Sequence, residues 1–231
     1  MRYLKLRIVS LNSTLLKVFV LWLGVAIFNS PATAADVHAL AGRVDHHYNQ
    51  LRTLETEFTE TYRGSGVERT ESGTLWLKKP GKMRWAYRSP REKLFVSDGK
   101  NAWFYLPNDK QVRKTAVRKL DDLRSPLALL LGKTRLEKEL QGLSLALDQN
   151  PLTPGNLVLR GVPKALADRV SEVTLEITPD DQLGRIQIDE VDGSITEYRF
   201  SGQKENVPVA DQQFKFKAPP GVELIEGEFG Q

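Results

Sequence analysis

The 231-residue chain carries 33 Lys and Arg against 29 Asp and Glu, three His and no Cys. The lack of cysteine excludes a disulfide scaffold, a thiol nucleophile and a cysteine-ligated metal centre. Four basic residues and no acidic ones fall in positions 1–34, and setting that stretch aside leaves 29 of each sign, so the net charge of +4 is no sign of a nucleic-acid surface.

Positions 1–34 read as a secretory signal peptide. Arg2, Lys5, Arg7 and Lys17 form a basic n-region, residues 18–28 are an uncharged apolar run, and Ala32-Thr33-Ala34 is a small-residue cleavage site. Eleven apolar residues are too few for a spanning helix, which takes about twenty. Cleavage after Ala34 predicts an exported protein. Ala35 and Asp36 follow the site where a bacterial lipoprotein would carry its lipidated Cys, so a mature chain without a lipid anchor is expected. Residues 35–231 are expected to form a single domain.

Val37, Leu40, Ala41, Val44, Tyr48, Leu51 and Leu54 recur every three or four residues and predict a helix over 36–54. Short strands are then predicted at 54–63, 73–79, 83–88, 93–97, 101–106 and 111–117. Pro80-Gly81, Asp98-Gly99 and Pro107-Asn108-Asp109 mark turns between them. Residues 120–132 break the pattern: Ser125, Pro126 and Gly132 suit a helix start and stop, and Leu123, Leu127, Leu130 and Leu131 fall on one face. A second short helix is predicted at 134–140. Further strands are predicted at 144–147, 157–161, 170–178, 183–191, 194–200 and 214–216, with a loosely ordered tail at 223–231. Many short strands with tight turns argue for an antiparallel sheet curling into a half-open or closed barrel, with the helices as its cover.

Catalytic patterns are missing. His38, His46 and His47 lie at spacings that do not converge on one metal. There is no nucleophile elbow, P-loop or dinucleotide-binding glycine motif. No enzyme activity and no cofactor are expected. Aromatic residues are the positive signal: Trp76, Trp85, Tyr87, Phe95, Trp103, Phe104 and Tyr105 lie close together on predicted strands. With a two-residue turn at Asp98-Gly99, Ser97 pairs with Lys100. Phe95, Ala102, Phe104 and Leu106 then share one face, and Leu94, Val96, Trp103 and Tyr105 the other. Both faces being apolar, both need cover, either as a two-sided core or as the wall of a cavity for an apolar ligand.

The block Gly73-Thr-Leu-Trp-Leu-Lys-Lys-Pro-Gly-Lys-Met-Arg-Trp-Ala-Tyr87, followed by Pro90, Leu94-Phe-Val-Ser-Asp-Gly-Lys-Asn-Ala-Trp-Phe-Tyr105, Pro107 and Gln111-Val112, resembles the LolA family of periplasmic lipoprotein carriers. Phe58-Thr59, Ser125-Pro-Leu-Ala-Leu-Leu-Leu-Gly132 and Phe214-Lys-Phe-Lys-Ala-Pro-Pro-Gly-Val222 fit the same pattern. The resemblance implies a mainly β (α+β) fold, an incompletely closed antiparallel β-barrel with a lid of short α-helices over an apolar cavity. It implies a monomeric, non-enzymatic carrier. Its partners would be acylated lipoproteins, an ATP-driven inner-membrane releasing complex and the outer-membrane receptor LolB or an equivalent. Met83, Trp85 and Phe95 would line the cavity, with Trp76 and Phe104 of the aromatic cluster. Leu123, Leu127, Leu130 and Leu131 would form the lid face. Lys79 stands where the family has an arginine that latches the lid. The alternatives are a carrier of another amphiphile, a glycolipid or phospholipid, and a lipid-sensing envelope-stress regulator resembling RseB.

Overall fold

The computed structural model describes residues 36–117 and 135–227. The expected leader (1–34) and the leucines Leu123, Leu127, Leu130 and Leu131 lie outside the described residues. Helix α1 spans Asp36–Gln50 and stops short of the predicted end because Leu54 belongs to the first strand. Strands β1 (Thr53–Gly64), β2 (Val67–Lys78), β3 (Lys82–Ser89), β4 (Lys93–Asp98), β5 (Asn101–Leu106) and β6 (Gln111–Ala116) follow. Helix α2 (Leu136–Glu139) then leads into β7 (Leu140–Leu145), β8 (Leu157–Pro163), β9 (Val170–Ile177), β10 (Leu183–Glu190), β11 (Ile195–Glu205) and β12 (Glu223–Glu226).

Among the described residues, the twelve strands form one sheet, in the order β12-β6-β5-β4-β3-β2-β1-β11-β10-β9-β8-β7. Its two edges, β7 and β12, do not pair, so the barrel is incompletely closed. Every pairing is antiparallel except that of β12 with β6, which is parallel. The predicted tail at 223–231 therefore contains a strand, and the predicted strand at 214–216 is instead the exit from a 3-10 turn over Asp211–Phe214.

Turn chemistry sets the register. Ser65 and Gly66, at φ of 51° and 73°, make a two-residue hairpin turn between β1 and β2. The β4–β5 connection is longer than predicted: Ser97 pairs with Ala102, and Asp98 Oδ1 accepts from the backbone N–H groups of Lys100 and Asn101. The predicted faces survive because the shift is two residues, whereas a slip of one would have exchanged them.

Helix α1 packs on one face of the sheet, hereafter the inner face. Leu40, Val44, Tyr48 and Leu51 are buried there with Leu54, Leu75, Leu77, Leu175, Ile177, Leu183 and Ile186. The outer face of β2–β6 is covered by the chain that returns after β11. Lys78 Nζ donates to the Val209 carbonyl, Phe214 is buried, and Phe216 packs on Trp103 and Tyr105 at ring distances of 6.1 and 5.6 Å. The two apolar faces thus have two different covers. Phe214 is the largest apolar plug of the outer one, at 1% exposure. Phe214→Ala should cost about 3–5 kcal/mol of stability, read as a lowered urea midpoint with an unchanged slope.

Candidate functional site

Cross-strand pairing assembles an apolar wall on the inner face. Leu75 of β2 lies opposite Trp85 of β3, Trp85 opposite Phe95 of β4, and Phe95 opposite Phe104 of β5. The next row toward the β2–β3 turn holds Leu54, Leu77 and Met83. Met83, Trp85, Phe95 and Phe104, predicted as cavity residues, therefore share one face. The Trp85 indole N–H donates to Met83 Sδ at 2.7 Å, so its one polar atom is satisfied within the wall. Phe58 meets Trp85 and Tyr87 edge-on at 4.7 and 4.9 Å between ring centres.

Trp76 does not belong to this wall. Its neighbours Leu75 and Leu77 point inward, so alternation sends Trp76 outward. There its indole N–H donates to Glu55 Oε2 at 2.9 Å, and its ring borders a depression shared with Arg84, Gln212 and Gln213. Composition alone grouped it with the other aromatics; strand parity separates it.

Lys79 follows β2 and reaches the end of α1. Its ammonium donates to the backbone carbonyl oxygens of Tyr48 and Asn49. These are carbonyls of the last helical turn, which lack intrahelical partners and carry the negative end of the helix dipole. Burial holds the Lys79 ammonium below the usual lysine range. Other ties fix the rest of the helix. Asp45 accepts the Leu136 backbone N–H, Arg43 pairs with Asp181 at 3.0 Å, and His47 Nε2 lies 2.9 Å from Glu205 Oε1. The Leu183 N–H donates to the Tyr48 hydroxyl at 2.8 Å.

The apolar wall ends at a polar row. Glu60 of β1 has Tyr198 of β11 and Glu71 of β2 as its cross-strand neighbours. Tyr87 donates its hydroxyl to Glu60 Oε2 at 2.7 Å. Lys93 bonds Glu71 at 2.6 Å and stands 4.3 Å above the Tyr87 ring. Gly73 permits this arrangement. A Cβ there would lie 2.0 Å from the Ala86 carbonyl oxygen, at the β2–β3 irregularity beside Tyr87. These polar inner-face residues also explain why β1 alternates weakly in sequence: Thr56 and Glu60 occupy inward positions.

A depression of about 610 Å³ lies alongside α1, lined by Arg43, His46, His47, Gln50, Asp181 and Glu205 among others. Its charged lining suits water better than an acyl chain. Among the described residues no His, Asp and Glu side chains cluster as a metal site would require.

Residues 49–217 match the family model of the outer membrane lipoprotein carrier protein LolA. The chain belongs to the LolA family. It is 31% identical to an outer-membrane lipoprotein carrier protein of Nitrosospira multiformis over 212 residues, covering 90% of this chain and 96% of that one. It is also 31% identical over 200 residues to the protein of that name from Chromobacterium violaceum, covering 86% and 91%. An uncharacterized conserved protein of Thermus thermophilus shares the fold, with a TM-score of 0.54 and 13% identity over 82% of this chain and 98% of that one. Within the aromatic block that carries the resemblance in sequence, Trp85, Phe95 and Phe104 build the inner wall of this LolA-family chain, while Trp76, Trp103 and Tyr105 face outward.

Burial raises the Glu60 carboxyl above its usual 4.5, outweighing the Tyr87 hydrogen bond that lowers it. A carboxyl with a raised folded-state value favours folding most when protonated, and that contribution is lost as the pH rises through the folded value. Glu60→Gln, which keeps an acceptor for Tyr87, should match the wild type in stability near pH 4 and exceed it increasingly above. Urea unfolding across pH 4–8 checks this.

Proposed function

We propose that this chain is a periplasmic carrier that shields the acyl chains of lipoproteins between the inner and outer membranes. The observation that carries this reading is the continuous Leu75–Trp85–Phe95–Phe104 ladder, with Met83 beside it, on the face that α1 covers only in part, in a chain of the LolA family. Moving an acyl chain of about sixteen carbons into water costs on the order of 12 kcal/mol, at about 0.8 per CH₂. A soluble carrier must supply a dry surface of comparable extent. Aromatic rings and a flexible Met offer that surface without fixing the exact shape of the chain.

Release is the second requirement. A helix that covers the wall when the carrier is empty must move for cargo to bind, and the cost of moving it weakens the grip. Lys79 is the residue we assign to this tuning, as the latch on the last turn of α1. Its two hydrogen bonds are partly solvent-exposed and contribute about 1–2 kcal/mol together. Binding consumes no substrate and transforms none, so the function is transport rather than catalysis. The donor is an ATP-driven inner-membrane complex and the acceptor an outer-membrane receptor of the LolB kind, with the mature chain (35–231) acting as a monomer.

Protein purified from the periplasm, added with ATP to inner-membrane vesicles holding a labelled lipoprotein, should release the lipoprotein as a soluble one-to-one complex. Label remaining on the vesicles would overturn the reading. Phe95→Glu, which places a charge in the wall at a half-buried position, should abolish complex formation while leaving the circular dichroism spectrum unchanged. Lys79→Leu should tighten cargo binding by about 5–30-fold, the equivalent of 1–2 kcal/mol, and block delivery to receptor-bearing membranes. Unchanged transfer by this variant would remove the latch.

A further inference from the structure

A group of buried polar side chains lies on the outer face of β9, β10 and β11, back to back with the strands on which α1 rests. Leu175, Ile177 and Ile186 point inward, so their neighbours Thr174, Glu176 and Arg185 point outward. These three are nonetheless buried, at 0%, 1% and 7% exposure, and Glu197 of β11 joins them at 5%. Glu176 is fully engaged: it accepts the Leu152 and Thr153 backbone N–H groups and the Asn156 side-chain amide. The Thr174 hydroxyl has no hydrogen-bond partner among the described residues. Neither does Nη2 of Arg185, nor its Nε, which lies 3.2 Å from Glu176 Oε2 as an ion pair only. Buried polar groups are ordinarily paired, and an unpaired one calls for a reason.

We propose that Thr174 Oγ1 and Arg185 Nη2 hold one structural water between them, with Glu197 Oε2 as its third partner. Strand pairing brings these groups together. Thr174 stands opposite Gln187, and Gln187 opposite Glu197, so the three form one row across β9, β10 and β11. Arg185 starts in the next row, opposite Glu176, and leans out of it toward Glu197, where Nη1 donates to Oε2 at 3.4 Å. That lean carries the guanidinium along the strand to the row of Thr174. The other polar side chains of the row are committed elsewhere. Gln187 Nε2 donates to Asp189 at 3.0 Å, and Arg160, opposite Thr174 on β8, donates to Asp148 at 3.0 Å.

Charge decides which ligand fits. Glu176 and Glu197 flank Arg185 and would repel a halide or a carboxylate, while the guanidinium would repel a metal or ammonium ion. A small neutral molecule that both accepts and donates suits all three groups. It accepts from Arg185 Nη2, exchanges a hydrogen bond with the Thr174 hydroxyl and donates to Glu197 Oε2. That oxygen has only the long bond from Arg185 among the described residues, since Arg199 takes Oε1. Three partners is the usual number for a buried water. Such a water would cross-link the three strands whose other side presents Leu175, Ile177, Leu183 and Ile186 to α1, and so stiffen the floor beneath the helix. The site is independent of the carrier reading.

The test pairs crystallography with one substitution. A crystal structure of the exported protein, at a resolution that shows ordered solvent, should contain a density peak within hydrogen-bonding distance of both Thr174 Oγ1 and Arg185 Nη2. No peak there would overturn the site. The same crystals soaked in sodium bromide should show no anomalous signal at that position; a bromide peak would overturn the neutral ligand in favour of an anion. Thr174→Val keeps the shape and strand preference of the side chain and deletes only the hydroxyl. With a water in place, the variant leaves that water one partner short, and the unfolding equilibrium constant should rise about fivefold in urea titrations. A hydroxyl that binds nothing carries only a desolvation cost, so its deletion would stabilise the protein. A Thr174→Val protein as stable as wild type, or more so, would therefore overturn the water site.

Discussion

A twelve-stranded sheet whose inner face presents Leu54, Phe58, Leu75, Leu77 and Trp85 to one side must have that face removed from water, and α1 is too small to cover it all. Fifteen residues of helix make one strip about 22 Å long. Leu40, Val44, Tyr48 and Leu51 shield the strands around β1, β2, β9 and β10, while Phe95 and Phe104 lie farther along the sheet on β4 and β5 and stay only half-buried. Everything else in the molecule adjusts to this excess of apolar face. On the proposed carrier reading, the same excess is what an acyl chain would use.

The ties that hold α1 differ in kind from the wall they cover. They are polar, near the surface and spread over the helix: Arg43 to Asp181, Asp45 to the start of α2, His47 to Glu205, and Lys79 to the last-turn carbonyls. Each is worth little by itself because water competes for its groups.

The outer face shows the contrasting solution. Val96 and Val112 are fully buried there beneath the segment carrying Val209, Phe214 and Phe216. Lys78 and Lys82 both reach Asp211, which anchors that segment at its 3-10 turn. The outer cover thus inserts a large aromatic plug and continues into β12 on the sheet edge. The outer face is sealed by an inserted plug, and the inner face is covered in part by a helix that combines buried apolar side chains with polar ties.

The sequence by itself determined most of the strands, the shared face of Phe95 and Phe104, and a helix starting at Asp36, though its pattern ran on to 54 where the fold ends it at Gln50. Helical and strand periodicities are local, and an even shift in turn length leaves parity intact. It also carried the family, through the aromatic block. Tertiary structure decided what local pattern cannot encode. Trp76 faces outward because its strand neighbours face in. β1 hides its alternation because Thr56 and Glu60 sit inward beside partners from other strands. Tyr198, far along the chain from the aromatic block, joins the wall only through the β1–β11 pairing. The C-terminal strand was missed because a four-residue strand exists only by virtue of the β6 edge it meets. Whether a residue faces cargo, core or solvent depends on which distant strand comes to lie beside it, and that contact is a property of the folded sheet.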